Sequence, residues 1–493
     1  MIAQKSGFSI KKAFTSDGFD KKYAYRLLIL LAILAAFVMY VDIMLTPSLP
    51  AIGKQYGVDS ATASLIISLY LVFGTAMMPV VGKLGDIFGK KIVLISVLVA
   101  YSAMVAITSF TSNFSLLLLS RTFQGIGLSI FPIAFSLVRE EFPRELVPRA
   151  QGLLAGMFGG GVALGLPAGA YVANSFGWQA NYHIALPFIV ILTVLLFFVA
   201  RESSFKDRNA KLDYVGAIWL GLSLAMIVMG ISEGPNWGWS SFGVLFMIIA
   251  GAGLLIPLAF VEQHIKDPIL NIELLTKRNV LVANAIAILL SLAMYLAFLS
   301  IAYEMEGPAP SGFGFDILTT GLYLLPLAVS ILVVAYPVGI LISKFGVKRF
   351  IFLGAIIGAV GFFLLSTANT ATQMAEYLVI AAVGLGVVMV ATQNLLVLSV
   401  DPHEMGLATS LNSVFRNLGA SIGTPIVGSI LSTFTATYTI QGYLVSLPSK
   451  AAFQYSFYIA IAGFLAVLLF SIFAKEIDVK PDKKRLKRYF KKG

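Results

Sequence analysis

Apolar runs of about twenty residues recur along this chain, and each is long enough to cross ~30 Å of hydrocarbon as a helix. Hydrocarbon gives backbone N–H and C=O groups no water partners, so such runs must satisfy their own hydrogen bonds as helices. Fourteen runs are predicted, near residues 27–49, 62–81, 92–111, 114–138, 150–174, 181–200, 213–232, 242–262, 279–303, 318–342, 350–367, 374–399, 407–432 and 455–474. A reading of the 493 residues as several soluble domains fails on composition, which is 58% hydrophobic with a mean hydropathy of +0.89. The expected class is an all-α membrane protein.

Lysine and arginine set its orientation. Of the 35 in the chain, 31 fall on the two tails and on alternate loops, which places both termini in the cytoplasm and makes the helix count even. The net charge of +11 then needs no nucleic-acid partner. Residues 1–26 carry six basic residues and no apolar signal core, so they read as a cytoplasmic tail. The closing stretch KKRLKRYFKK reads as a topology signal, with an anionic lipid surface as the alternative. Cysteine is absent, and His183, His264 and His403 match no metal spacing, so neither metal nor cofactor is expected. No catalytic constellation appears in the helices.

The segment GKLGDIFGKK, Gly82 to Lys91, concentrates charge and glycine between two apolar runs. It is not a phosphate loop: that motif needs glycine at position 84, which is Leu84, and Ser or Thr where Lys91 stands. A similar segment, GILISKFGVKR, begins 257 residues later at Gly339, and GLLAG at Gly152 has a counterpart 254 later at Gly406. Two nearly equal offsets predict homologous six-helix halves, 27–200 and 279–474, around a linker (201–278) carrying two helices, with tails 1–26 and 475–493. Paired halves of this kind bind substrate near the midplane between them.

Charges inside the spans are expensive and mark function by default. Asp42 and Arg121 are predicted at similar depth, roughly 10–12 Å below the outer surface at 1.5 Å per residue. Burial would favour the neutral acid of Asp42, and a nearby Arg121 the carboxylate. Arg416 shares a helix face with Asn412 and Gly423, to meet an anionic substrate group or backbone carbonyls. Glycines at 152, 156 and 160 and at 161, 165 and 169 form two stripes suited to close helix packing. Phe37 and Tyr40 align on one helix and Tyr70 and Phe73 on the next, facing an apolar cavity or serving as packing. Glu304 and Glu306 flank a Gly/Pro loop and read as solvated.

Taken together these motifs resemble the major facilitator superfamily, in its fourteen-helix drug:proton antiporter branch. GKLGDIFGKK is similar to that superfamily's loop between helices 2 and 3, with Ile87 at a usual arginine position. YVDIMLTPSLPAI resembles the branch's first-helix motif, and LSRTFQGIG the fourth-helix motif. GLLAGMFGGGVALGLPAGAY resembles the antiporter motif of the fifth helix, with Leu166 at its proline position, Pro167 following and Ala170 in place of its last glycine. The resemblance implies two six-helix bundles plus two linker helices. It also implies proton-coupled export of small, mostly hydrophobic compounds by alternating access, in the plasma membrane, as a monomer. Burial and pairing make Asp42 the expected proton carrier with Arg121 modulating it, or else the two form a fixed structural ion pair; the resemblance assigns Asp86, with Gly82, Gly89, Lys90 and Lys91, to a latch between the halves. Gly161, Gly165 and Gly169 become the antiporter-motif glycines. Phe37, Tyr40, Tyr70, Phe73, Gln124, Asn412 and Arg416 become the candidate substrate cavity. A substrate-specific exporter or a proton-coupled uptake symporter remains open on the same scaffold, and a non-transporting sensor more remotely.

Overall fold

The computed structural model describes residues 20–142, 147–202, 213–265, 272–400, 405–440 and 443–476. The chain opens with α1 (Lys21–Ile43), which passes through a 3₁₀ turn at Thr46–Ser48 into the short α2 (Leu49–Tyr56). Next come α3 (Ser60–Phe88), α4 (Lys90–Phe110) and α5 (Phe114–Gln124). A 3₁₀ turn at Gly125–Ser129 leads into α6 (Ile130–Glu141), followed by α7 (Val147–Phe176) and α8 (Trp178–Val199). The linker carries α9 (Tyr214–Trp237) and α10 (Phe242–Glu262), and a single turn, α11 (Ile272–Thr276), precedes the second half. That half comprises α12 (Arg278–Glu306), α13 (Ile317–Phe345), α14 (Val347–Thr367), α15 (Ala371–Ser399), α16 (Met405–Thr433) and α17 (Lys450–Phe473).

Among the described residues, twelve helices are long and apolar enough to cross a membrane, some of them two of these elements run together. The expected count of fourteen is not confirmed. The segments expected near 150–174 and 407–432 are helical, as α7 and α16, but they fall outside the twelve. Glycine, which serves close contact between helices, recurs in both, and serine and asparagine recur in α16.

The helix ends sort by charge. Lys90, Lys91, Arg139, Arg201, Arg278, Lys344 and Lys348 lie at one end of the bundle, the basic face, and Lys54 and Lys450 at the other. On that opposite face, side-chain oxygens cap the helix starts: Asp59 accepts from the Thr62 N–H, Asn113 from Leu116 and Asp316 from Thr319. The hydrogen bonds from Thr319 hold the Asp316 carboxyl below the usual aspartate range.

Both loops of the internal repeat turn on the same backbone device. Gly89 joins α3 to α4 at φ +113°, and Gly346 joins α13 to α14 at φ +90°. A side chain is rarely tolerated in that region, and the two glycines are again 257 residues apart.

The two halves touch through α3 against α16 and α7 against α13, and both seams close at the opposite face. The Ser60 hydroxyl contacts Ser432 at 2.9 Å and donates to the Gly428 carbonyl at 3.0 Å, and Ser68 meets Thr424. Gly321 of α13 lies so close to α7 that an added Cβ would sit 2.4 Å from the Ala170 methyl. Toward the basic face the seams part. Asn417 still reaches the Met78 sulfur at 3.8 Å, but one turn further on an added Cβ at Gly82 would meet nothing within 4 Å. Gly339 lies five helical turns beyond Gly321 on the same face of α13, and it too has open space before it. Among the described residues, both seams therefore stand open on the basic-face side at Gly82 and Gly339.

α9 lies against both α3 and α16, with the Ser232 hydroxyl donating to the Ala61 carbonyl and Ser429 to that of Ile231. It spans the seam while α10 covers its outer side. Two features depart from the sequence reading. A β-hairpin, β1 (Thr435–Ile440) antiparallel to β2 (Tyr443–Pro448), joins α16 to α17. Glu304, expected in a solvated loop, is buried at 8% exposure, because the chain after α12 folds back and Phe313 N–H bonds the Glu304 carbonyl.

Candidate functional site

Asp42 lies where α1 breaks. Pro47 and Pro50 lack the N–H groups a continuous helix would need, so α1 ends at Ile43, tightens to a 3₁₀ turn and restarts at Leu49. The carboxylate precedes this break and is buried. Arg121, on the last turn of α5, is fully buried and comes to Asp42 from the neighbouring helix.

The guanidinium is held chiefly by groups other than the carboxylate. Its Nη1 donates to Gln124 Oε1 at 3.0 Å and its Nη2 to the Asp42 backbone carbonyl at 3.0 Å. Its carbon lies 4.2 Å from the centre of the Tyr70 ring, a cation–π contact. Asp42 Oδ1 is 3.7 Å from Nη2, beyond hydrogen-bond range, and has no hydrogen-bond partner among the described residues. Gln124 is fixed in turn, donating to Thr108 Oγ1 at 2.5 Å and to the Met104 carbonyl at 3.2 Å. Arg121 is thus anchored whether or not Asp42 carries a proton. The pairing expected from sequence is present as a loose ion pair.

Glycines build this chamber. An added Cβ at Gly125 would lie 2.2 Å from the Tyr70 carbonyl, and one at Gly127 would lie 2.7 Å from the Tyr101 ring. The RTFQGIG stretch therefore brings α3 and α4 onto the arginine it carries. On the other side Gly161, Gly165 and Gly169 seat α7 on α1: their added Cβ atoms would meet the Ala36 carbonyl at 2.2 Å, Ile43 at 2.4 Å and Met44 at 2.6 Å. The stripe read from sequence as packing lies against α1 on both sides of Asp42. Gly125→Ala is expected to destabilise the protein by about 1–3 kcal/mol through overpacking, seen as a lowered melting temperature in detergent. Gly82→Ala, facing open space, serves as the control.

Three further tyrosines, absent from the sequence reading, stand around the pair. Tyr101 of α4 and Tyr182 of α8 are fully buried with hydroxyls unpartnered among the described residues, and Tyr295 of α12 lies within electrostatic reach of Asp42, Arg121 and Arg416. Asn181 donates to the Gly169 carbonyl at 2.9 Å and accepts from the Tyr40 hydroxyl at 3.4 Å. None carries a local motif; only packing of distant helices brings them here.

The other predicted residues distribute as follows. Tyr70 and Gln124 are fully buried in the arginine chamber, so in this conformation they do not face the opening expected of cavity residues. The Arg121 network claims both. Phe37 stacks on Tyr40 at 5.5 Å, and Phe73 packs edge-on to Phe123 at 5.0 Å. Asn412 is buried in an amide chain, accepting from Gln393 at 3.0 Å and donating to Asn284 Oδ1 at 2.9 Å, which ties α16 to α15 and α12. At the basic face Asp86 is half-exposed and pairs with Lys90 at 3.0 Å; the buried Lys90 ammonium also meets Glu140 at 2.6 Å. Glu202 accepts from the Lys91 and Ile92 N–H groups at the start of α4. Residues 401–404, which precede the α16 terminus expected to receive Asp86, lie outside the described residues.

A buried carboxyl beside an anchored arginine, in a helical bundle opening to one face, suits movement of small species across a membrane. Curated relatives agree. The chain is 26% identical over 397 residues to the multidrug transporter protein MdtP of Bacillus subtilis, covering 78% of this chain and 72% of that one. Multidrug resistance protein 3 of Bacillus subtilis is 26% identical over 376 residues, with 74% and 71% covered. Among solved structures, a bacterial homologue of the human lysosomal transporter Spinster, in an inward-facing and unoccupied conformation, superposes with a TM-score of 0.63. That match has 15% identity over 92% of this chain and 96% of the other, a likeness of fold. The family model of the Major Facilitator Superfamily matches residues 31–424 and 281–491. With the helical bundle and these matches in agreement, this chain belongs to the Major Facilitator Superfamily and is a transporter rather than an enzyme.

Proposed function

We propose that the protein exports small, mostly hydrophobic compounds across the plasma membrane in exchange for protons, by alternating access. The basic face is cytoplasmic, with both termini on that side, and the bundles 27–200 and 279–474 rock about the seam spanned by α9. One observation carries the reading: Asp42 is a buried carboxyl whose Oδ1 no described group bonds, beside an arginine that other groups hold. Such a carboxyl can gain or lose a proton without its neighbourhood being rebuilt. In the opposite state Asp86 leaves Lys90 and docks at the start of α16, where a helix terminus favours a carboxylate by about 0.3–1 kcal/mol. The multidrug names of the relatives support a hydrophobic cargo.

The test uses the full chain in liposomes with an imposed proton gradient and a panel of hydrophobic compounds. Addition of a transported compound is expected to release protons down their gradient. Compound accumulating together with protons would favour the symporter reading, and no movement from folded protein across a broad panel would sink the export reading.

A further inference from the structure

We propose that Gln124 is a positioning residue for proton exchange: it holds the Arg121 guanidinium off the Asp42 carboxylate and so sets the pH at which Asp42 takes up its proton. Its use in transport rests on the exchange reading above. Asp42 Oδ1 and Arg121 Nε are both buried, and neither has a hydrogen-bond partner among the described residues. They belong to opposite charges in one chamber, yet Oδ1 stays 3.7 Å from the guanidinium Nη2. A buried donor and a buried acceptor this near would ordinarily close into a charge-assisted hydrogen bond. The surrounding contacts keep them apart.

Of the three groups that hold the guanidinium, the Asp42 backbone carbonyl and the Tyr70 ring keep it beside Asp42. Gln124 Oε1 occupies Nη1 at 3.0 Å, a donor that could otherwise turn to Oδ1, so it alone competes with the carboxylate. The orientation of Gln124 is dictated. Its amide nitrogen donates to the Met104 carbonyl at 3.2 Å, and a carbonyl only accepts, so the amide oxygen must face Arg121. Thr108 Oγ1 takes the amide's other N–H at 2.5 Å and itself meets Ser120 Oγ at 2.8 Å. All four side chains are buried. They lie on α4 and α5, neighbours joined by residues 111–113, so movement of one bundle against the other leaves this clamp intact. The remaining titratable groups around the pair are the hydroxyls of Tyr70 on α3, Tyr101 on α4, Tyr182 on α8 and Tyr295 on α12. Phenols ordinarily lose their protons near pH 10. Every charged residue and histidine on α3, α4, α6, α7, α8, α12 and α13 lies within six residues of a helix end. Arg121 is therefore the charge that acts on Asp42 at neutral pH.

The measurement is the infrared carbonyl band of the protonated Asp42 carboxyl, titrated on the full chain in lipid nanodiscs and assigned as the band lost in Asp42→Asn. In Gln124→Leu, Nη1 loses its acceptor and turns to Oδ1, and a closer guanidinium favours the carboxylate. The midpoint of the band should move to lower pH by about one unit, a tenfold loss of proton affinity. Thr108→Val keeps the side-chain shape without the hydroxyl and should move the midpoint the same way by less. Thr108→Ser, which keeps the hydroxyl, should titrate as wild type. A midpoint unmoved or raised in Gln124→Leu would overturn the proposal, as would a wild-type band absent at every pH. If Gln124→Leu does not fold, an unmoved midpoint in Thr108→Val overturns it instead. Liposomes with an imposed proton gradient separate the two readings. A midpoint that moves as stated, without exchange of any compound, would leave the role of Gln124 standing and remove the exchange mechanism.

Discussion

Asp42→Asn is expected to abolish proton-driven exchange while leaving the protein folded. Asparagine matches aspartate in shape and is neutral, so it fixes the protonated form in place. The surroundings tolerate it because Arg121 is held by the Asp42 backbone carbonyl, Gln124 and the Tyr70 ring, and the first of these survives any substitution. Melting temperature should stay within a few degrees of wild type. Counterflow driven by a proton gradient should fall at least roughly a hundredfold, equivalent to about 2.7 kcal/mol of barrier. Exchange of labelled for unlabelled compound without a gradient should continue, because movement of the bundles does not require the proton. Full gradient-driven transport by the variant would remove Asp42 from the coupling mechanism.

The second large effect is expected from Gly82→Leu combined with Gly339→Leu. In the present conformation both glycines face open space, so the pair should cost little stability. Closing the basic face would bring α3 toward α16 and α13 toward α7, with a leucine wedged into each seam. Overpacking costs about 1–3 kcal/mol per site, and distant sites add. Together they bias the equilibrium toward this state by roughly thirtyfold or more. Transport should drop accordingly. The chain has no cysteine, so spin labels at Phe88→Cys and Phe345→Cys, exposed beside the two loops, report the opening directly. A distance distribution shifted toward the longer, open-state separation is expected in the double variant, and normal closure with normal transport would refute the closing motion.

Much of this was legible in local sequence. Long apolar runs allow only helices, the asymmetry of lysine and arginine ranks the loops, and GKLGDIFGKK with its echo at Gly339 marks the repeat. Gly89 and Gly346, one in each of the two similar segments, are both positive-φ junctions. Asp42 and Arg121 stood out because charge in a span is costly. Other features left no local signal. The hairpin after α16 is two six-residue strands in a stretch with no apolar run, and the burial of Glu304 depends on a loop folding back upon it. Tyr70 and Phe73 looked alike as aromatics on one helix, yet Tyr70 carries the guanidinium and Phe73 packs on Phe123.

The sequence by itself determined that this is a membrane-embedded helical protein, which loops carry its basic residues, and which few charges the interior must accommodate. These follow from the cost of polar groups in hydrocarbon, a penalty assessed residue by residue. Tertiary structure decided that Arg121 is anchored by a carbonyl, an amide and an aromatic ring rather than by the Asp42 carboxylate, and that the seams close away from the basic face. Each of these depends on how closely helices far apart in the chain approach one another. That distance is set by where glycines meet backbone across the bundle.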